Sequence, residues 1–258
     1  MNWSRSSSAA ILVALLLVAV APAAAVSVSG DAPGTVEIGE KQTTTYTVVD
    51  PFDGYGQWTL RGSTDLTDVT WQITTYDNTD NQVDETIING QSFSYDLAAD
   101  SGAVRAEVRL VGTPASGVDW QYDPPQQITY AEFVQAQEGG SSENMSRDMA
   151  RPFTPESQSA RTAIEDAEAA IADAEDDGVD VSSAQGDLED AIEFYNNGNF
   201  EQATKNAEEA QSTAEDAMQS KQQTNRLMLI GGAIVVLLLV AGGIYWYLQQ
   251  RESYDRLG

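Results

Sequence analysis

The stretch VRAEVRLV at residues 104–111 decides the fold class of the first half of the chain. Its apolar and charged side chains alternate, so an extended strand places Ala106, Val108 and Leu110 together on one face. We therefore predict a strand with one buried and one solvated face, as antiparallel sheets have.

The same period of two recurs on both sides of this stretch, with turn residues between the repeats. Further strands are predicted near 35–38, 43–49, 57–61, 69–73, 82–88, 93–97 and 128–130. Residues 26–137 are therefore predicted to form an all-β sandwich of the size of an immunoglobulin or fibronectin type III domain. The Cys-Trp-Cys pattern of immunoglobulin domains is absent, so the resemblance is architectural only.

A helical period replaces the strand period after residues 138–154, which we predict to be a polar linker. Residues 155–226 are predicted to form an antiparallel helical hairpin or coiled-coil-like stalk with alanine-rich seams. Thr154 and Pro155 mark the start of the first helix, and Gly178 marks its end. Ser182 and Gln185 suggest a capping box for the second helix.

The segment FYNNGNFEQA at residues 194–203 resembles the turn of a tetratricopeptide repeat. Ala191, Ala203 and Ala210 match small positions of that family, whereas its Trp-Leu-Gly start is missing. The resemblance covers one repeat length and does not recur. It implies a stable helical hairpin without the concave peptide-binding groove that several stacked repeats form.

Two apolar segments predict the topology. Residues 1–25 have the order of a secretory signal peptide, with Arg5, an apolar run, Pro22 and a small-residue cleavage site; an uncleaved anchor is the alternative. Residues 227–248 carry no charge and are long enough for a single transmembrane helix. We expect 26–226 outside the cell membrane and the tail 249–258 in the cytoplasm.

Charge and composition exclude several functions. The 258 residues include 40 acidic and 13 basic side chains, a net charge of −27, with no Cys and no His. Catalysis and metal binding by thiolate or imidazole are therefore excluded, and nucleic acid is an unsuitable partner. The composition resembles that of secreted, membrane-anchored surface proteins of halophilic archaea. An acidic disordered protein is the alternative, but 41% hydrophobic residues favour a folded core.

Candidate site residues are few, and we assign no catalytic, cofactor-binding or metal-binding residue. Asn144 begins the sequon Asn-Met-Ser, a candidate glycosylation site. Tyr55, Trp120 and Tyr122 lie among loop residues and are candidates for a ligand-binding face. The acidic stretch 77–84 could offer oxygens to Ca²⁺, although a tight hairpin turn explains its Asp and Asn residues better.

Together these features predict a non-enzymatic, single-pass cell-surface protein that displays a β-sandwich interaction domain on a helical stalk. Adhesion, scaffold and envelope roles fit equally well. The alternative is an accessory or sensor subunit of a membrane complex, with transport, secretion or signalling as its task. The order of parts also looks like that of cargo receptors of the secretory pathway, by architectural analogy only. A surface or membrane protein is the expected partner, and the oligomeric state is left open.

Overall fold

The computed structural model describes residues 26–137, 140, 142–221 and 240. Among these residues, no helix has both the length and the apolar character needed to cross a bilayer. The predicted signal peptide 1–25 and the tail 249–258 lie outside the described residues, as does the predicted membrane segment 227–248 apart from Val240. The predictions made for those segments therefore stay predictions.

The first part of the chain is a sandwich of two five-stranded sheets, which confirms the predicted β-sandwich. The first sheet has the order β1-β3-β8-β5-β6, and the second has the order β2-β10-β9-β4-β7. Only β2 and β10 pair in parallel among the described strand pairs. The strands are β1 (Ser27–Gly30), β2 (Thr35–Glu37), β3 (Gln42–Val49), β4 (Gln57–Ser63), β5 (Thr67–Tyr76), β6 (Gln82–Asn89), β7 (Ser92–Ala98), β8 (Arg105–Thr113), β9 (Ile128–Ala136) and β10 (Ser142–Phe153).

Inward side chains of both sheets form one core. Ala106, Val108 and Leu110 of β8 are fully buried, as their alternation predicts. Aromatic rings fill the space between the sheets, with the ring centroids of Trp71 and Phe93 4.9 Å apart. Each of the eight strands predicted from the sequence is present, whereas β1 and β10 were not predicted.

The stretch 138–154 differs from the predicted linker, because residues 142–153 form the long strand β10 between β2 and β9. Two register shifts, one between Asn144 and Ser146 and one between Asp148 and Met149, interrupt its pairing with β9. These irregularities break the period of two, and the exposed side chains are polar except for Met149. The buried Ala150 nevertheless belongs to the sandwich core.

Three helices follow the sandwich: α1 (Pro155–Asp176), α2 (Ser182–Asn196) and α3 (200–221). Thr154 caps α1 as predicted, since its side chain accepts a hydrogen bond from the Ser157 amide. The predicted capping box of α2 is wrong. Asp180 replaces it, because its carboxylate accepts hydrogen bonds from the amide and hydroxyl of Ser182.

The helices pack side by side along their alanine seams. Lys221 at the end of the described part of α3 donates hydrogen bonds to the carbonyls of Asp177 and Gly178, just beyond the end of α1. The helices α1 and α3 therefore run parallel, with α2 antiparallel between them in sequence. At 1.5 Å per residue, the 22 residues of α1 separate the two ends by about 33 Å. Fully buried alanines line the shared core: Ala160, Ala167, Ala174, Ala184, Ala191, Ala203, Ala207, Ala210 and Ala214.

Candidate functional site

The loop 114–127, which connects β8 to β9, fixes the sandwich to the helices. Tyr122 of this loop is 6% exposed and belongs to the helical core. Trp120 is half-buried, and its ring lies 4.8 Å from that of Phe200 at the start of α3. Gly198 makes room for Trp120, because a Cβ there would lie 3.2 Å from the indole ring. The turn that resembles a tetratricopeptide repeat is therefore covered by an aromatic residue of the sandwich.

Polar contacts hold the same loop in place. The Tyr122 amide donates to Oδ1 of Asn196 at 2.8 Å, and its hydroxyl donates to Oε2 of Glu168 at 2.9 Å. The Arg161 guanidinium donates twice to the Tyr122 carbonyl and lies 4.5 Å from the centre of its ring. Burial, together with the hydrogen bond to Glu168, raises the pKa of the Tyr122 hydroxyl. Tyr122 therefore stays neutral and acts as an anchor.

The three residues predicted for a ligand-binding face are thus not brought together. Tyr122 and Trp120 pack against helices, whereas Tyr55 is 44% exposed at the start of β4. Tyr55 borders a groove on the outer face of the second sheet. That groove is the site that the geometry favours.

This groove, called the sheet groove below, is built on the register of three strands. Trp58, Leu60 and Gly62 are the buried positions of β4, so Thr59 and Arg61 between them face outward. Arg61 is central, because it pairs with Ser94 of β7 on one side and with Val134 of β9 on the other. The sheet groove consists of Thr59, Arg61 and Ser63 of β4, Ser92, Ser94 and Asp96 of β7, Glu132, Val134 and Ala136 of β9, and Tyr55 and Gln57.

Two adjoining cavities make up the sheet groove. One has a volume of about 410 Å³ and is bordered by Ser92, Ser94 and Glu132. The other has a volume of about 510 Å³ and is bordered by Tyr55 and Asp96. Arg61 borders both cavities. At about 3.3 Å per residue, the outward side chains from Thr59 to Ser63 span about 13 Å, enough for an elongated ligand.

The carboxylates of the sheet groove already have partners. Asp96 accepts a hydrogen bond from the Thr59 hydroxyl at 2.7 Å. Glu132 accepts one from the Asn144 side-chain amide at 2.6 Å and lies 3.4 Å from the Arg147 guanidinium. Arg61, by contrast, is exposed and makes no hydrogen bond or ion pair within the described part of the chain. Its guanidinium is therefore available to a ligand.

Asn144 lies on β10, beside the sheet groove. Its side chain is exposed, and its register partner on β9 is Val134. A glycan on Asn144 would leave one N–H on its side-chain nitrogen, enough to retain the hydrogen bond to Glu132. Glycosylation of Asn144 stays a prediction.

The acidic stretch 77–84 forms the turn between β5 and β6. Oδ1 of Asp77 accepts hydrogen bonds from the amides of Thr79 and Asn81, and Asp80 lies 2.9 Å from the Arg105 guanidinium. The hydrogen bonds with Asn81 and Thr79 lower the pKa of Asp77 to about 2. Over the described ranges, no group of three or more acidic side chains is placed to hold a metal ion.

A further cavity of about 610 Å³ lies between the starts of α1 and α3. Phe200 supplies an apolar wall, but Glu156, Glu201 and Glu208 surround Lys205, the basic residue there. In the sheet groove, by contrast, the carboxylates Asp96 and Glu132 accept hydrogen bonds from Thr59 and Asn144. The sheet groove is therefore the stronger candidate.

Comparison with known proteins leaves the family open. No family model and no curated protein matches the chain. Similar solved structures include the enzymatically active domain of tailspike protein 4 of bacteriophage CBA120, with 20% identity over 34% of this chain and 16% of the other, at a TM-score of 0.24. The SrpA adhesin of Streptococcus sanguinis has 16% identity over 51% of this chain and 60% of the other, at a TM-score of 0.28. A DUF4466 family protein of Parabacteroides merdae has 10% identity over 50% of this chain and 44% of the other, at a TM-score of 0.30.

This chain spans less than two thirds of the length of each of those three chains. At such TM-scores the likenesses carry no argument about function. The functional argument below therefore uses only the residues and contacts of this chain.

Proposed function

We propose that this protein is a non-enzymatic, single-pass cell-surface protein whose β-sandwich binds a ligand in the sheet groove. The observation that carries the proposal is the pair of adjoining cavities around Arg61. They lie on a rigid sheet and expose hydrogen-bonding side chains, as binding sites commonly do. The groove carboxylates, Asp96 and Glu132, are occupied by neighbouring side chains and are given no catalytic role.

The helices supply the second argument, because they fit the role of a stalk. The chain passes from β10 into α1 at Thr154, and the loop 114–127 contacts α1 through Tyr122 and the turn before α3 through Trp120. The last described residue of α3, Lys221, lies about 33 Å away along the helices. The predicted membrane segment 227–248 begins after five further residues of the sequence. This order would hold the sheet groove away from the membrane, with the acidic surface solvated in concentrated salt.

A second candidate function is favoured by the junction between loop and helices. Tyr122 and Arg161 connect the sandwich to α1 through several hydrogen bonds and a cation–π contact. A ligand that shifted the sandwich could therefore move the helices as well. On this alternative, the protein is an accessory or sensor subunit that passes the movement to a membrane partner.

Purification of the full-length protein from its native membrane separates the two functions. The protein would be solubilised in detergent at high salt, and its stoichiometric partners would be identified. Recovery alone, or with envelope material that Arg61→Gln no longer retains, supports the binding function. Recovery in a fixed stoichiometry with an integral membrane protein, unchanged by Arg61→Gln, supports the accessory function and contradicts the first.

A further inference from the structure

We propose that the sheet groove binds an oligosaccharide that carries a carboxylate, as a uronic acid does, with the carboxylate on the Arg61 guanidinium. This inference rests on the function proposed above and adds the chemical class of the ligand. Its first basis is the shape of the Arg61 guanidinium group. The guanidinium offers a planar fork of N–H donors that matches both oxygens of a carboxylate.

The second basis is that no carboxylate in the described part of the chain forms an ion pair with Arg61. Asp96 and Glu132 lie on the strands beside Arg61, each two register positions away and in opposite directions along the sheet. Asp96 accepts a hydrogen bond from Thr59 on Oδ1, and the two oxygens of Glu132 face Asn144 and Arg147. A chain with a net charge of −27 has many carboxylates, yet none of those described is bonded to Arg61. A carboxylate from a ligand would fill this position.

Hydroxyl chemistry around Arg61 indicates a sugar. Ser92 and Ser94 are exposed, and Ser63 is half-exposed beside them. Each hydroxyl both donates and accepts, as the hydroxyls of a sugar do, so the two surfaces can exchange hydrogen bonds in either direction. Tyr55 at one end adds an exposed aromatic face, on which the C–H groups of a sugar ring can pack.

The remaining ligand classes fit this surface less well. Nucleic acid and other densely charged polyanions are repelled by the net charge of the chain. An apolar ligand would bury little surface in an open groove lined mainly by polar groups. A sugar chain with widely spaced carboxylates has few enough charges to approach, and concentrated salt screens the remaining repulsion.

Titration calorimetry on the detergent-solubilised, full-length protein in molar KCl tests the proposal. The probes are short, otherwise neutral oligosaccharides that carry one galacturonate, mannuronate or guluronate residue, each compared with its methyl ester. The ester has the same sugar chain but no charge, so we expect at least one uronate oligosaccharide to bind about tenfold or more tightly than its ester. Acetate at the same carboxylate concentration should not compete.

Two arginine variants complete the experiment. Arg61→Gln is expected to weaken binding of the uronate about tenfold or more and to remove the difference from the ester. Arg109→Gln is the matched control, because Arg109 is exposed on the outer face of the first sheet and also has no bonded partner among the described residues. Identical unfolding midpoints of the two variants show that both are folded.

Three results would overturn the proposal: no binding of any uronate oligosaccharide, equal binding of acid and ester, or equal effects of the two arginine variants. These results concern the ligand class alone. Display of the sandwich outside the cell is tested by a separate labelling experiment on intact cells, so failure of one proposal can be distinguished from failure of the other.

Discussion

At the scale of single residues, Tyr122 contributes most to joining the two parts of the molecule. Its ring lies 5.7 Å from that of Tyr195, and its amide, carbonyl and hydroxyl all form hydrogen bonds with the helices. The sequence places Tyr122 among loop residues, which is why it was a candidate for a ligand-binding face. Its partners follow 39 to 74 residues later, so no local pattern predicts that the helices bury it.

Replacing Tyr122 should allow the sandwich and the helices to unfold separately. Tyr122→Ala is expected to lower the free energy of unfolding by about 3 kcal/mol, because it removes a buried aromatic ring and leaves a cavity. Denaturant unfolding should then show two transitions in place of one. Tyr55→Ala is the control, since Tyr55 is 44% exposed, and it should change stability by less than about 0.5 kcal/mol. Equal effects of both variants would contradict the anchor role.

Asp77 gives a residue-scale prediction on pH. The hydrogen bonds that lower its pKa to about 2 stabilise the folded turn in the ionised state. A depressed folded pKa means that this stabilisation is present above about pH 4 and is lost as the pH falls toward about 2. The unfolding free energy of the wild type should therefore fall more steeply over this range than that of Asp77→Asn, which keeps an acceptor oxygen but cannot titrate. If the unfolding free energies of the wild type and of Asp77→Asn fell in parallel with pH, the proposed contribution of ionised Asp77 to stability would be excluded.

At the scale of elements, β8 and β10 show what the sequence can predict. Pairing of β8 with β3 is regular, so its side chains alternate without interruption and the strand is evident. Pairing of β10 with β9 is shifted twice, so the alternation of buried and exposed side chains that would indicate a strand is lost.

The sheet groove cannot be predicted from the sequence for a related reason. The alternation around Arg61 indicates that it faces outward, but its neighbours Ser94 and Val134 are set by cross-strand register, which the sequence does not reveal.

A matched pair of substitutions tests whether 142–153 is a strand of the core. Ala150 is fully buried, so Ala150→Glu places an unpaired charge in the sandwich and should cost about 4 kcal/mol. Met149 is its neighbour but is 39% exposed, and Met149→Glu should cost less than about 1 kcal/mol. Denaturant titration in molar KCl measures both. Equal stabilities would mean that the stretch behaves as a linker.

At the scale of the whole molecule, charge is distributed unevenly. Residues 155–221 carry 18 acidic and three basic side chains, whereas the acidic side chains of the sheet groove are balanced by Arg61 and Arg147. The helices would therefore repel one another and most anionic partners at low salt, and an acidic ligand would meet less repulsion around Arg61 than along the helices. This distribution fits a solvated stalk that carries a binding domain.

The central claim is that the sandwich displays the sheet groove outside the cell. Because the chain has no Cys, a single introduced thiol can be labelled without background. Ser94→Cys places it in the sheet groove, and Ser253→Cys places it in the predicted cytoplasmic tail. The account predicts that a membrane-impermeant maleimide labels Ser94→Cys on intact cells, and labels Ser253→Cys only after the membrane is opened. Labelling of Ser253→Cys but not of Ser94→Cys on intact cells would contradict it.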